Sequence, residues 1–391
     1  MLFSLALVFI IGLTAGQLFK TIKLPSLLGY MLTGIVLGPH ALNVINGSLL
    51  DISADLRQIA LIIILTRAGL NLNISELKKV GRSAVMMCFV PAGCEIIGMI
   101  LLAPIFFDIS RLDAAILGSV IAAVSPAVVV PRMLKLMENG YGRSKSIPQM
   151  IMAGASVDDV FVIVLFSSFT ALASGKNFSY VSYLRIPTSI ILGILGGIAV
   201  GLILRLIFSR FKMNSITKIL ITLSTSFILV TIDGKIKGNI GFSGLLAIMT
   251  FGIVLKMKCA DTSEKLSADY SKLWQGAEIL LFSLVGMTVN ISYATDYGFK
   301  AVGLIFLVLI FRMLGVFLSV LGTKLNSKER LFCMLAYCPK ATVQAAIGAI
   351  PLSMGLSCGD LVLTAAVLAI LITAPLGAFA VDMTYKRLLV Q

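Results

Sequence analysis

The chain has 391 residues, of which 58% are hydrophobic and only 13% charged, where soluble domains carry about 25% charged residues. That composition excludes an ordinary soluble enzyme or binding module and makes the lipid bilayer the protein's surroundings. The formal net charge of +14 would suit a nucleic-acid binder, but the placement of the basic residues along the chain excludes that partner.

Apolar runs recur from end to end, each long enough to cross about 30 Å of hydrocarbon at a helical rise of about 1.5 Å per residue. Thirteen spans are predicted, at approximately 2–19, 26–45, 56–72, 82–107, 113–136, 148–174, 186–210, 216–233, 240–257, 271–292, 298–322, 329–354 and 359–384. The first lacks a basic leader and a small-residue cleavage site, so it reads as a retained span. With each loop numbered by the span it follows, the odd loops and the C-terminus hold 21 Lys and Arg, including Lys78, Lys79, Lys145, Lys386 and Arg387. The even loops hold seven: Arg57, Arg111, Lys176, Arg185, Lys235, Lys237 and Lys300. By the positive-inside rule the odd loops and the C-terminus are cytoplasmic and the N-terminus lies outside. A bacterial inner membrane is the expected location. The six cysteines form no CxxC pair and read as small apolar residues. Trp274 reads as an interfacial anchor. No cofactor is expected, and no metal beyond a transported monovalent cation.

Three segments recur about 215 residues apart. Residues 26–38, SLLGYMLTGIVLG, match 244–256, GLLAIMTFGIVLK, at a shift of 218. Gly69-LNLN-Ile74 matches Gly286-MTVN-Ile291 at a shift of 217, and Ser125-Pro126-AVVV aligns with Cys338-Pro339-KATV at 213. The matches pair span 2 with 9, 3 with 10 and 5 with 12. Partners seven spans apart cross the membrane in opposite directions, which is the inverted-topology repeat of many secondary transporters, with 186–210 as connector. Such folds place the substrate near the midplane, where discontinuous helices meet. Pro126 and Pro131 around Ser125, and Pro339 and Pro351 around the polar stretch 340–344, mark the predicted breaks.

Asp158 and Asp159 lie in the middle of the predicted span 148–174. Charge is costly in hydrocarbon and persists there mostly where it faces a cavity and does work. Adjacent helical residues point about 100° apart, so one carboxylate can face an aqueous cavity while the other meets a partner. Such a pair suits a site where protons and cations compete; a capping or bridging role fits a mid-span pair beside Ser156 less well. Glu95 in span 4 and Arg312 in span 11 carry opposite charges at similar depth in repeat-related helices. An intramembrane ion pair is expected, since either charge alone would be strongly destabilising. Whether that pair serves the scaffold or transport is open at this point. Lys340, after Pro339, can complement the negative end of a half-helix.

These residues together resemble the monovalent cation:proton antiporter superfamily, most closely the NHA-type sodium/hydrogen exchangers. The resemblance runs over nearly the whole chain, through Leu24-PSLLGYMLTGIVLGP, Leu61-IIILTRAGLNL, Ser125-PAVVVP, Asp158-Asp159 and Cys338-PKATVQAAIG. It implies an all-α antiporter fold with two broken crossing helices and a homodimer. The dimerisation bundle would comprise 1–72 and 216–292, and the ion-binding core 82–174 and 298–384. It implies Asp159 as the main ion-binding and proton-accepting carboxylate, Asp158 as its partner, and elevator-like movement of the core. Several electrogenic relatives carry Lys where this chain has Arg312. Arginine keeps its proton, so one-for-one, electroneutral exchange becomes the expectation.

The expected activity is exchange of Na⁺ or Li⁺ for H⁺ by alternating access, with oxygen ligands from Asp159, Asp158, Ser125 or Thr342 and opened backbone. K⁺/H⁺ exchange and sodium-coupled symport of an organic anion are the alternatives. An intramembrane aspartyl protease would need its carboxylates on separate helices, and no channel-type repeated filter is present in the sequence.

Overall fold

A computed structural model describes residues 1–72, 81–174, 180–236 and 241–390. Asn73 and Ile74 of the repeat, and Lys78, Lys79, Lys176 and Lys237 of the charge pattern, lie outside the described residues, as does the Arg185 side chain. The regular elements among the described residues are helices. They are α1 (Leu2–Thr21), α2 (Ser26–Leu37), α3 (Gly47–Asp51), α4 (Ser53–Asn71), α5 (Arg82–Met87), α6 (Val90–Phe106), α7 (Arg111–Ile121), α8 (Pro126–Glu138) and α9 (Ile147–Ser174), followed by α10 (Tyr180–Arg210), α11 (Ser215–Ile236), α12 (Gly244–Lys258), α13 (Ala260–Met287), α14 (Ile291–Ser319), α15 (Ser327–Ala336), α16 (Thr342–Ile347), α17 (Ile350–Ser353) and α18 (Gly359–Leu388). Eight helical stretches among them are long and apolar enough to cross a membrane. The protein is therefore a multi-pass membrane protein. The other expected spans fall on helices that are shorter, such as α2, or more polar, such as α13.

The chain divides into two compact units, one of Met1–Ala54, Ser75–Val162 and Ile279–Gln391, the other of Asp55–Ile74 and Ile163–Glu278. In the first unit α6 packs along α14. A Cβ added at Gly98 would lie 2.6 Å from the Phe311 ring, and one at Gly315 would lie 2.6 Å from Pro91 Cα. As the α6 number falls the α14 number rises, so these repeat partners run antiparallel. The missing side chains let the two backbones approach closely, as small residues do between membrane helices.

Two helices open in the same unit. The first opening covers residues 122–125, between α7 and α8. Pro126 takes the first position of α8, where an amide has no intrahelical partner to lose. Pro131, expected to flank this break, lies inside α8, which runs on to Glu138. The second opening covers 337–341, between α15 and α16, and Pro339 stands within it. Pro351 sits in the first turn of α17.

The glycines of the repeat make one contact twice. In the first unit, a Cβ on Gly286 would lie 3.2 Å from Gly34 Cα; in the second, a Cβ on Gly252 would lie 3.0 Å from Gly69 Cα. Gly34 and Gly252 are equivalent at the 218 shift, as are Gly69 and Gly286 at 217. Each half of the sequence thus supplies one glycine to each contact. In the second unit, Ser263 Oγ donates to the Leu70 carbonyl at 3.0 Å and Ser267 Oγ to Asn71 Oδ1 at 2.6 Å. Tyr270 is buried and hydrogen bonds Thr222. Trp274 continues this stripe one turn further and is only 5% exposed, so the expected interfacial anchor is a buried packing residue.

Candidate cation site

Opening a helix at membrane depth frees amides and carbonyls that must find partners elsewhere. The first opening finds them in side chains and backbone of the second half. Ser125 N–H, which would have closed the helix onto Ile121, donates instead to the Pro339 carbonyl at 2.8 Å. The Ile121 and Ala123 carbonyls accept from Gln344 Nε2 at 3.0 and 2.8 Å. The Ala122 carbonyl accepts from Arg312 Nη1 and, at 3.4 Å, from Lys340 Nζ. Val124 N–H donates to Asp158 Oδ2 at 2.8 Å, a bond within the first half. In the second opening, Arg312 Nε donates to the Tyr337 carbonyl, and Lys340 N–H donates to Thr373 Oγ1 at 2.9 Å.

The charges at the openings form one buried network. Arg312 Nη1 lies 2.8 Å from Glu95 Oε2 and Nη2 lies 2.9 Å from Asp158 Oδ2. Lys340 Nζ lies 2.6 Å from the same Glu95 oxygen. Glu95, Asp158, Arg312 and Lys340 are each 0% exposed and Asp159 is 7% exposed. Asp159 differs in a second way: it makes no hydrogen bond or ion pair among the described residues, and its Oδ1 is buried without a donor. Neighbouring helical residues point about 100° apart, and it is Asp158 that meets Arg312.

Six further side-chain oxygens are buried without a hydrogen-bond partner among the described residues: Gln149 Oε1 near the start of α9 and, on residues of the openings and the charge network, Glu95 Oε1, Ser125 Oγ, Asp158 Oδ1, Thr342 Oγ1 and Gln344 Oε1. A buried acceptor with no donor is costly. Carboxylate, hydroxyl and amide oxygens are the ligand types a hard cation takes.

A family profile described as sodium/hydrogen exchanger, transmembrane, matches residues 5–386. The chain belongs to this family. The exchanger is 33% identical to sodium/hydrogen exchanger 9B2 of Mus musculus, over 99% of this chain and 74% of that protein. It is 30% identical to sodium/hydrogen exchanger 9B1 of Homo sapiens, over 100% of this chain and 78% of that one. Its fold matches the sodium proton antiporter MjNhaP1 of Methanocaldococcus jannaschii with a TM-score of 0.85 at 20% identity, covering 98% of this chain and 97% of that one.

Of the residues singled out from the sequence, Glu95, Arg312, Lys340 and Asp158 come together in the exchanger as one ion-paired cluster. Ser125 and Thr342 flank the openings, with their hydroxyl oxygens buried. Lys340 Nζ lies 3.4 Å from the carbonyl of Ala122, the residue that caps α7; its tie to Glu95 was not foreseen. Sequence reasoning also passed over Gln344, Tyr337 and Thr373. Gln344 had one available signal: an amide in the polar stretch after Pro339 of an otherwise apolar span.

Proposed function

We propose that the protein exchanges one Na⁺ or Li⁺ for one H⁺ by alternating access, with cation and proton competing for Asp159. The observation that carries this reading is a charge balance. Glu95, Asp158 and Asp159 supply three negative charges and Arg312 and Lys340 two positive ones, all buried, so the cluster is one positive charge short. The shortfall falls on Asp159, the carboxylate without a partner among the described residues. A single proton or a single monovalent cation there restores neutrality, and the two cannot do so together.

Competition becomes coupling because moving uncompensated charge through apolar surroundings is expensive. With Asp159 occupied by either ion, the cluster is neutral and the core can move; empty, it is held in place. Both loaded forms carry the same charge, so the exchange is electroneutral. Arg312, with its proton fixed and its donors spread over Glu95, Asp158, Ala122 and Tyr337, contributes constant charge and no proton. Every residue of the cluster falls within 82–174 and 298–384, the proposed moving core, with 1–72 and 216–292 as the dimer-forming part. The cation coordinates Asp159 together with Ser125, Thr342 and Asp158 oxygens.

Purified protein in liposomes, with proton flux followed against Na⁺, Li⁺ and K⁺ gradients, tests the reading. Na⁺- and Li⁺-dependent flux is expected, abolished by Asp159→Asn and indifferent to an imposed membrane potential. Retained exchange in Asp159→Asn would overturn the site assignment, and strong response to the potential would overturn the one-for-one count. Flux driven by K⁺ alone would reassign the cation, and sodium-driven uptake of an organic anion without proton movement would reassign the activity.

A further inference from the structure

Gln344 lies in the first turn of α16 and is 0% exposed. Its Nε2 donates to Ile121 O at 3.0 Å and to Ala123 O at 2.8 Å, which uses both amide hydrogens on the opening of the other half. Two carbonyl partners fix which end of the amide is nitrogen, so the oxygen's identity is settled too. That oxygen, Oε1, is buried and meets no donor among the described residues. The carbonyl between the two Gln344 acceptors, that of Ala122, is held by Arg312 and Lys340. The three consecutive carbonyls 121–123 are therefore placed by three side chains of the second half. Gln344 is the uncharged one.

We infer that Gln344 is a specificity-determining residue of the exchanger: its nitrogen holds the opened segment 121–123 in place, and its oxygen joins the neutral ligands offered to the cation. The inference rests on the ion-exchange reading above and deepens it by naming what sets ion size preference. A carboxylate attracts every monovalent cation, whereas the distance between opposed neutral oxygens discriminates among them. An amide anchored at its nitrogen by two bonds holds its oxygen at one distance, which favours one ionic radius.

Gln344→Met tests this, since it keeps volume and removes both the donor and the ligand. In proteoliposomes the apparent KM for the preferred cation should rise by about tenfold to hundredfold, the range expected for a lost interaction with a charged partner. The KM ratio between Na⁺ and Li⁺ should shift severalfold, with maximal rate changing much less. A lowered melting temperature with an unaltered KM ratio would show a purely structural role and overturn the inference. If Gln344→Met fails to reach the membrane, Gln344→Asn takes its place: it retains the amide but is one methylene short of spanning carbonyl and cation together. The same ratio shift is expected, and its absence overturns the inference equally. Failure of the exchange reading itself is distinct, since the unsubstituted protein would then show no cation-driven proton flux.

Discussion

Arg312 is the residue on which the buried network turns. A guanidinium offers five donors in a fixed plane, and here they reach two carboxylates and two backbone carbonyls on separate segments. Its carbon also lies 5.0 Å over the Tyr337 ring. Replacing it by alanine leaves Glu95 with Lys340 alone and Asp158 with no cation. Removal of one partner from a buried pair costs about 3–5 kcal/mol. Arg312→Ala should therefore lower the melting temperature sharply in detergent, and an unchanged melt would rule out the structural role. Arg312→Lys keeps the charge but loses the fork; an intermediate loss, about 1–3 kcal/mol for the unmet carbonyls, is expected in the same measurement. The Glu95–Arg312 pair is thereby proposed to act in two ways. On this proposal the guanidinium fastens the scaffold, and by engaging Asp158 it leaves Asp159 as the carboxylate without an ion pair among the described residues.

At the scale of elements, the first opening is held from across the repeat more than by its proline. Pro126 sits where a helix start tolerates any residue, and the freed groups of 121–125 are taken by Gln344, Arg312, Lys340, Asp158 and Pro339. Pro126→Ala should keep cation-dependent proton flux and change stability by only about 0.5 kcal/mol, the range of substitutions away from buried features. Loss of flux would mean the proline itself keeps the segment open. The glycine contacts behave differently. Gly252→Val and Gly286→Val each drive a side chain into backbone, and each should cost at least about 1–3 kcal/mol in thermal stability. Gly93, on the open side of α6 with nothing within 4 Å of an added Cβ, should accept alanine with a gain of about 0.5–1 kcal/mol. Tolerance of valine at either would show that its contact does not require glycine. The repeat segments that carry the paired glycines and the mid-span charges were readable in advance, because buried charge admits few residue types; the close approach at the glycines was not. The partners of the openings were not: an amide and a run of backbone carbonyls carry no signature of depth, and the Lys340–Glu95 tie depends on chain already unwound. Trp274 misled because an indole looks the same whether it lies at a lipid headgroup or against a neighbouring helix.

For the whole molecule, the distribution of Lys and Arg predicts an external N-terminus and a cytoplasmic C-terminus. A fluorescent protein fused after Gln391 should mature and fluoresce, while alkaline phosphatase at the same point should stay inactive; the reverse result would invert the topology. A dimer in mild detergent is expected by native mass spectrometry, and a monomer across the working concentration range would contradict the assignment of 1–72 and 216–292 as the dimer-forming part.

The paired glycine contact reaches beyond the protein as it stands. Gly34 needs Gly286 and Gly252 needs Gly69, and in both cases the partner comes from the other half of the sequence. A half-length chain would find neither contact within itself. Each contact therefore fastens one half of the sequence to the other, and a chain cut between the halves would keep both contacts only if the two pieces stayed together.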